Sequence, residues 1–310
     1  MLIQISSVQP YLPARVKFAL KPLYRKIFPN RLHISLLPTN RCNYRCSYCM
    51  VVTKFDFAAL YPKGVEKTAA EWHAALHRLP PAGIYIQGGE PFLYPELPEL
   101  VNDLPKRHEL LGIVTNLSLP ASVYRKIKRK IHLNASLHRE YVSDAEFLDK
   151  VKELSAHFHI HVNIVATPEN LGVLQEVSRL TRSRKVSLHV DPFKDPQFRY
   201  TPEQSRILDR YIQPDRNPGE MLDYEDYSPK RCSAGRNYMA LMPNGDAFTC
   251  VAGYNYLAPA WKDVLHGREQ PQFQMGNVFD SAFRMNGEDV VCALPCPHGC
   301  DRDAARIRPA

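Results

Sequence analysis

Short apolar runs recur along the first two thirds of the chain, and helical patterns separate them. The first run, Leu32-His33-Ile34-Ser35-Leu36-Leu37, is almost continuously apolar, which is typical of a strand buried on both faces of a parallel sheet. Five similar runs cover residues 83–87, 111–114, 131–135, 160–165 and 186–190. Strands that alternate with helices in this way predict a parallel βα series.

The segments between these runs carry helix boundary signals. Residues 68–79 place apolar side chains on one face and end before two prolines, and residues 95–104 are also predicted to be helical. Ser143-Asp144-Ala145-Glu146 has the pattern of a capping box. Thr201 followed by Pro202 predicts the start of a further helix.

Three cysteines, Cys42, Cys46 and Cys49, follow the first predicted strand with C-x3-C-x2-C spacing. Three thiolates can hold three irons of a [4Fe–4S] cube and leave the fourth iron without a protein ligand. An open iron can take a small chelating ligand, as the open position of a catalytic zinc does. The alternatives are half of a zinc site or chance proximity. Zinc knuckles usually have a second cysteine pair nearby, whereas the next cysteine here is Cys232.

A second signal, Gly88-Gly89-Glu90-Pro91, directly follows the second predicted strand. Paired glycines at a strand end allow close approach of the backbone to a ligand and backbone angles that other residues avoid. The adjacent Glu90 can present a carboxylate or orient the turn. Taken alone, the segment is also compatible with an ordinary turn.

The cysteine loop and the G-G-E-P segment together resemble the radical S-adenosylmethionine (radical SAM) enzymes. The resemblance implies a partial (β/α)6 TIM-like barrel, a [4Fe–4S] cluster on the three cysteines and S-adenosylmethionine at the open iron. It also implies reductive cleavage of this cofactor to a 5′-deoxyadenosyl radical, which abstracts a hydrogen atom from the substrate. An electron donor such as flavodoxin or ferredoxin is expected.

Further site residues follow from the resemblance and from the strand ends, where barrel folds bind ligands. By position in the family, Thr115 and Asn116 correspond to the ribose site and Ser136 to the site of the methionine carboxylate. The implied cofactor-binding residues are Tyr48, Gly88, Gly89, Glu90, Pro91, Thr115, Asn116, Ser136, Asn163 and Asp191. The candidates for acid–base catalysis are His138, His161 and His189, for which packing or hydrogen bonding is the alternative.

Past Asp215 the composition changes, and five cysteines follow, namely Cys232, Cys250, Cys292, Cys296 and Cys300. Asn244-Gly245 between two apolar runs predicts a hairpin, and a G-N-V segment with a helical stretch is expected after it. This order resembles the SPASM/twitch extension of radical SAM enzymes, although a full SPASM domain has seven cysteines. The resemblance implies one auxiliary [4Fe–4S] cluster on four of the five thiols. A structural Zn(Cys)4 site is the alternative.

The predicted organisation is therefore a basic N-terminal extension (1–30), a barrel (31–215) and a small cysteine-rich α+β module (216–310). The chain has 310 residues and a net charge of +8, and 45% of its residues are hydrophobic, as in ordinary globular proteins. It shows no signal peptide and no apolar run of membrane-spanning length, which predicts a cytoplasmic protein with reduced thiols. Basic residues cluster at 15–31 and at 124–130. The first cluster is predicted to pack against the core, with contact to a membrane surface as the alternative. The second cluster is predicted to be the solvated end of a helix.

Three functions are compatible with this pattern. The first is oxidation of a small sugar-like or nucleotide-like molecule with help from the auxiliary cluster. The second is radical maturation of a ribosomal peptide by crosslinking or epimerisation. The sequence favours the small molecule, because thirty residues before the first strand are too few for a leader-binding domain. The third is a non-catalytic zinc protein that binds nucleic acid, which the sparse aromatic residues in the basic clusters disfavour.

Overall fold

The computed structural model describes residues 32–49, 57–193, 198–212, 228–250, 273–293 and 308–310. Its strands are β1 (Leu32–Leu36), β2 (Ala82–Ile86), β3 (Glu109–Thr115), β4 (His132–Ser136), β5 (His159–Ala166), β6 (Ser187–Pro192), β7 (Lys230–Cys232), β8 (Tyr238–Leu241), β9 (Asp246–Phe248), β10 (Gln274–Asn277), β11 (Val290–Cys292) and β12 (Arg308–Pro309). A nine-stranded sheet has the order β10-β9-β8-β1-β2-β3-β4-β5-β6, and a smaller sheet has the order β11-β7-β12.

The six strands β1 to β6 are neighbours in sequence order and pair in parallel. A strand order without reversal is that of a barrel series, whereas a doubly wound sheet reverses its order in the middle. The predicted α/β architecture with a partial (β/α)6 barrel is therefore confirmed.

Helices connect the parallel strands and cover one face of the sheet. The helices of the described residues are α1 (Phe57–Leu60), α2 (Ala69–Arg78), α3 (Leu97–Asn102), α4 (Ala121–Tyr124), α5 (Asp144–Leu154), α6 (Pro168–Leu171), α7 (Leu174–Ser183) and α8 (Pro202–Leu208). The predicted caps at Ser143 and Thr201 are both present as capping boxes. None of these described helices is long and apolar enough to cross a membrane.

The two faces of the barrel strands differ in polarity. In β4, Leu133 and Ala135 are fully buried and belong to the main hydrophobic core with residues of α5. His132, Asn134 and Ser136 alternate with them and are only partly buried. Because successive side chains of a strand point to opposite faces, these polar residues line the interior of the barrel.

The hairpin predicted at Asn244-Gly245 is confirmed, since β8 and β9 pair antiparallel and Gly245 has φ +91. β8 also pairs in parallel with β1, so the hairpin extends the barrel sheet. Phe279 packs its ring on Trp72 of α2, with 4.9 Å between centroids. The chain after β9 is thereby joined to the barrel core.

The prediction of a helical stretch after Phe279 is wrong, because residues 279–289 form turns, bends and irregular backbone. Asp280 accepts hydrogen bonds from the backbone N–H groups of Ala282 and Phe283, through its carboxylate and its carbonyl oxygen. Local bonds of this kind compete with helix formation.

Some predictions lie outside the described residues. They concern the N-terminal extension, the domain boundary between residues 215 and 216, and the cysteines Cys296 and Cys300.

Gly88 and Gly89 hold the end of β2 against the loop that follows β1. Gly89 donates its backbone N–H to the Thr39 carbonyl oxygen at 3.2 Å. A Cβ on Gly88 would lie 2.3 Å from that oxygen, and one on Gly89 would lie 2.1 Å from the Arg41 carbonyl oxygen. Gly88 also has φ +138, a region that side chains disfavour. This backbone contact therefore requires glycine at both positions.

We expect Gly88→Ala and Gly89→Ala each to lower the free energy of unfolding by roughly 2 kcal/mol or more, because the added methyl group collides with backbone that cannot move away. Urea unfolding of the reduced, cluster-free protein measures the change. Gly172→Ala is the matched control, since Gly172 has φ −65 and open space around it, and its effect should stay within about 0.5 kcal/mol. If all three substitutions changed the free energy of unfolding equally, the close backbone contact at Gly88 and Gly89 would be contradicted.

Candidate radical cofactor site

The three cysteines of the first motif lie in one loop beyond the C-terminal end of β1. Cys46 is buried with 4% of its surface exposed, and Cys42 and Cys49 are half-buried. All three are thiols. Cys49 donates its N–H to the Cys46 carbonyl oxygen at 3.0 Å, and Tyr44 directs its N–H towards Cys42 Sγ at 3.4 Å. The loop therefore presents its thiols from a turned backbone.

An ion pair fixes the start of this loop. Arg41 donates to Glu66 through two nitrogens, from Nε to Oε1 at 2.8 Å and from Nη2 to Oε2 at 3.0 Å. The Thr39 hydroxyl donates to the same carboxylate. Arg41 Nη2 also donates to the Leu93 carbonyl oxygen at 2.8 Å. A bidentate pair of this kind restricts orientation as well as position, so the residue before Cys42 is held firmly.

The end of β3 contacts the loop from one side. Asn116 donates from Nδ2 to Asn43 Oδ1 at 3.0 Å, and the same nitrogen lies 3.8 Å from Cys42 Sγ. Asn43 in turn donates to Ser118 Oγ at 2.8 Å. Of the two residues predicted at this strand end, Asn116 thus faces the cysteine loop.

The segment after β4 contacts the loop from the other side. The Glu140 carboxylate accepts from Ser47, at 3.0 Å from the backbone N–H and at 2.6 Å from the hydroxyl. Arg45 donates its N–H to the Tyr141 hydroxyl at 2.8 Å. The rings of Tyr44 and Tyr141 stack, with 4.2 Å between centroids and 9° between planes. The loop is therefore held between two neighbouring strand ends.

His138, one of the predicted histidines, contacts the central cysteine of the loop. Its Nδ1 lies 3.2 Å from Cys46 Sγ and 2.8 Å from the Tyr48 hydroxyl oxygen. Its ring stacks on the Tyr48 ring at an interplanar angle of 15°. Burial lowers the pKa of His138 to about 4, so the imidazole is neutral near pH 7.

Three cysteine sulfurs in one loop are the donor set that a [4Fe–4S] cluster takes. Burial raises the pKa of Cys42 to about 11 and that of Cys46 to about 12. Both are therefore protonated at neutral pH unless positive charge compensates the thiolate, and binding of iron would release these protons. The fully buried side chain of Asn40, two residues before Cys42, has no hydrogen-bond partner within the described residues. No three His, Cys, Asp or Glu side chains of the described ranges are grouped to hold a single metal ion.

Glu90 joins the end of β2 to the end of β3. Its carboxylate is completely buried and accepts from the Thr115 hydroxyl at 2.8 Å, the Phe92 N–H at 3.1 Å and the Asn116 N–H at 2.7 Å. Burial raises the pKa of Glu90 to about 7, although all three hydrogen bonds favour the charged form. Through these contacts the Glu90 carboxylate orients the turn and is not presented to the surroundings. Pro91 begins a short 3-10 helix directly after it.

A second polar group lies on β5 and β6. Asn163 pairs in register with Ser136 of β4 and donates from Nδ2 to Asp191 Oδ2 at 2.7 Å. The other carboxylate oxygen of Asp191 lies 3.2 Å from His189 Nε2. Asn163 Oδ1 is buried and accepts no hydrogen bond within the described ranges. The group therefore presents an acceptor, a carboxylate and an imidazole on neighbouring strands.

His161 has contacts elsewhere on the barrel strands. It lies two residues before Asn163 and hydrogen-bonds to Ser187 near the start of β6. Its ring stacks on His132, with 5.6 Å between centroids. The structure thus places the three predicted histidines in three different surroundings.

Two of the later cysteines lie on one face of the small sheet. β7 and β11 pair antiparallel, with Cys232 opposite Val290 and Cys292 opposite Lys230. The two cysteines are therefore diagonal neighbours, with Cα atoms about 7–8 Å apart. Cys250 lies two residues beyond the end of β9.

Several residues that contact the cysteine loop were not found from the sequence. They are Glu66, Ser118, Glu140 and Tyr141, and they lie between 25 and 96 residues from their partners in the chain. The only sequence signal for the last three is their position just beyond a predicted strand end, where barrel folds place functional residues.

We expect the stability that Glu90 contributes to fall as the pH rises from 4.5, the ordinary pKa of a glutamate, to about 7. The folded state keeps the Glu90 proton over this range while the unfolded state loses it, so rising pH favours unfolding. The difference in unfolding free energy between the wild type and Glu90→Gln should decrease by up to roughly 3 kcal/mol. Urea unfolding of the cluster-free protein at pH 4.5 and 7.5 measures it. Glu169→Gln, at an exposed position, is the control. The expectation would be contradicted if the difference between the wild type and Glu90→Gln were the same at pH 4.5 and pH 7.5.

Comparison with known proteins places these features in a family. Residues 36–189 match the model of the Radical SAM superfamily. The antilisterial bacteriocin subtilosin biosynthesis protein AlbA of Bacillus subtilis is 21% identical over 291 residues, which cover 83% of this chain and 59% of AlbA. The GTP 3′,8-cyclase of Acidothermus cellulolyticus is 39% identical over 113 residues, which cover 34% of this chain and 29% of the cyclase.

The fold is similar to that of SuiB from Streptococcus suis. The crystal structure of SuiB bound to S-adenosylmethionine has a TM-score of 0.55 and 18% sequence identity, and the match covers 84% of this chain and 65% of that one. SuiB bound to the precursor peptide SuiA gives the same TM-score at 17% identity. The chain thus spans less than two thirds of AlbA and of these SuiB chains. The family match, the parallel barrel and the loop of three thiols together show that this chain belongs to the radical SAM superfamily.

Proposed function

We propose that this chain binds a [4Fe–4S] cluster through Cys42, Cys46 and Cys49, cleaves S-adenosylmethionine reductively and modifies a peptide. Radical SAM enzymes use this cluster and this cofactor. The observation that carries the assignment is the position of the three thiols, in one anchored loop beside the paired glycines at the end of β2. That loop lies at the rim where barrel folds bind their ligands.

The peptide substrate rests on two relatives. AlbA is named for the biosynthesis of a bacteriocin, and its alignment covers 83% of this chain. SuiB, which has a similar fold, has been crystallised with the precursor peptide SuiA. The small molecule that the sequence favoured has weaker support, and peptide maturation is the better proposal.

A nucleotide-like substrate is the second candidate. It is favoured by the 39% identity to a GTP 3′,8-cyclase, but that match covers only 34% of this chain. The non-catalytic zinc protein is not supported, since the chain belongs to an enzyme superfamily.

When bound, the cluster and S-adenosylmethionine supply a radical that abstracts a hydrogen atom. The chain supplies a polar barrel interior in which the substrate can lie. His189, held by Asp191, can exchange a proton with the substrate on the lumen side of β6. Asn163 fixes the Asp191 carboxylate and keeps Oδ1 available as an acceptor. An electron donor such as flavodoxin or ferredoxin would reduce the cluster.

We further propose an auxiliary [4Fe–4S] cluster held by four of the five later cysteines. The position of Cys232 and Cys292 on one face of β7 and β11 supports it, because cluster ligands must converge from neighbouring segments. Cys250 is the third candidate ligand of the described residues.

Substitution of Cys42, Cys46 and Cys49 together by Ala should abolish release of 5′-deoxyadenosine and halve the iron content. The wild type, reconstituted without oxygen, should hold about eight irons per chain, and the variant about four. Iron analysis and chromatography after addition of dithionite and S-adenosylmethionine measure both quantities. A variant that still releases 5′-deoxyadenosine would refute the loop assignment. Stimulation of the wild type by GTP, and not by a mixed peptide library, would favour the second candidate.

Cys232→Ala should remove about four irons per chain and leave the release of 5′-deoxyadenosine in place, because the auxiliary cluster is separate from the loop cluster. The exposed Val291→Ala on the neighbouring strand is the control and should keep the full iron content. Unchanged iron content in the Cys232 variant would count against the auxiliary cluster.

A further inference from the structure

Cys46 lies beside a histidine and a tyrosine. It is the buried member of the trio, and its Sγ lies 3.2 Å from His138 Nδ1. Its sulfur also hydrogen-bonds to the Tyr48 hydroxyl. The hydroxyl and the imidazole nitrogen lie 2.8 Å from each other, so the three polar atoms form a triangle. Cys42 Sγ instead accepts from amide nitrogens of Tyr44 and Asn116, at 3.4 and 3.8 Å.

We propose that His138 and Tyr48 donate hydrogen bonds to the sulfur of Cys46 when it binds the cluster, and that they thereby raise the reduction potential of the cluster. This inference rests on the proposed assignment of the loop cluster to the three cysteines. Hydrogen bonds to the sulfurs are among the factors that set the potential of an iron–sulfur cluster. Reduction adds one negative charge, so a donor stabilises the reduced state more than the oxidised state.

Ligation defines the direction of these hydrogen bonds. A thiolate bound to iron carries no proton and can only accept. A neutral imidazole has one N–H group. In the tautomer that is protonated on Nδ1, this group points to the sulfur and can donate to it. The Tyr48 hydroxyl can donate to the sulfur from the other corner of the triangle. The donors are therefore available without any change of charge on either side chain.

The structure also fixes His138 in this position. Its carbonyl oxygen accepts from the N–H groups of Tyr141 and Val142, at 3.0 and 3.3 Å. Its ring stacks on Tyr48, which belongs to the cysteine loop itself. The nearby carboxylate of Glu140 accepts hydrogen bonds from the backbone N–H and the hydroxyl of Ser47. Position and orientation of the donor are thus set before the cluster binds.

The test is an anaerobic redox titration of the reconstituted full chain, followed by electron paramagnetic resonance. The loop cluster is identified as the species whose signal changes when S-adenosylmethionine is added. His138→Phe keeps an aromatic ring but removes the donor, and it should lower the midpoint potential of this cluster. His138→Asn places an amide N–H near the position of Nδ1 and should recover most of the wild-type potential. His159→Phe, at the start of β5, should leave the potential unchanged.

The proposal would be overturned if His138→Phe had the same potential as the wild type. It would also be overturned if His138→Asn lowered the potential as much as His138→Phe does. If His138→Phe binds too little cluster for titration, Tyr48→Phe decides, because it removes one donor and leaves His138 in place. A lower potential in that variant supports the proposal, and an unchanged potential overturns it. A wild-type chain that binds no [4Fe–4S] cluster would instead overturn the proposed function on which this inference rests.

Discussion

The close backbone contact between Gly88-Gly89 and the loop after β1 is the constraint on which the site depends. β1 and β2 are parallel neighbours, so their C-terminal ends meet at one edge of the sheet. The glycines let the two chain segments approach until their backbones hydrogen-bond, which sets the path of the chain just before Cys42. Side chains at these positions would keep the segments apart, and the cysteine loop would lose this backbone support.

The loop itself is held by the ends of three strands. Glu90 ties the turn after β2 to the end of β3, Asn116 reaches the loop from β3, and residues 138–141 hold it from β4. Such support is needed because the loop has no regular secondary structure to hold its backbone. A site whose ligands are held in advance loses less conformational entropy when the metal binds.

The barrel and the later segment share one sheet and one core. β8 lies beside β1, the strand from which the cysteine loop leaves, and Met239 and Leu241 of β8 are fully buried in the main core. Phe279 and Trp72 extend this packing to α2. The β8–β9 hairpin and Phe279 are therefore packed into the barrel core.

The sequence by itself determined the parallel βα series, the caps of α5 and α8, the β8–β9 hairpin and the spacing of the three thiols. These are local features, set by the period of apolar residues, by backbone preferences and by short-range hydrogen bonds. It also marked the strand ends at which polar residues gather. It did not predict the turns after Phe279, where Asp280 accepts hydrogen bonds from the backbone N–H groups of Ala282 and Phe283.

Only the tertiary structure decided which of these polar residues meet. Glu66 lies 25 residues from Arg41, and Glu140 lies 93 residues from Ser47, so neither pair has a signal in the local pattern. His138, His161 and His189 are alike in sequence, yet one contacts a cysteine, one a serine and one an aspartate. The pairing of β8 with β1 is likewise a long-range choice. Such contacts depend on strand register and on the burial of distant segments against each other, which no stretch of sequence contains.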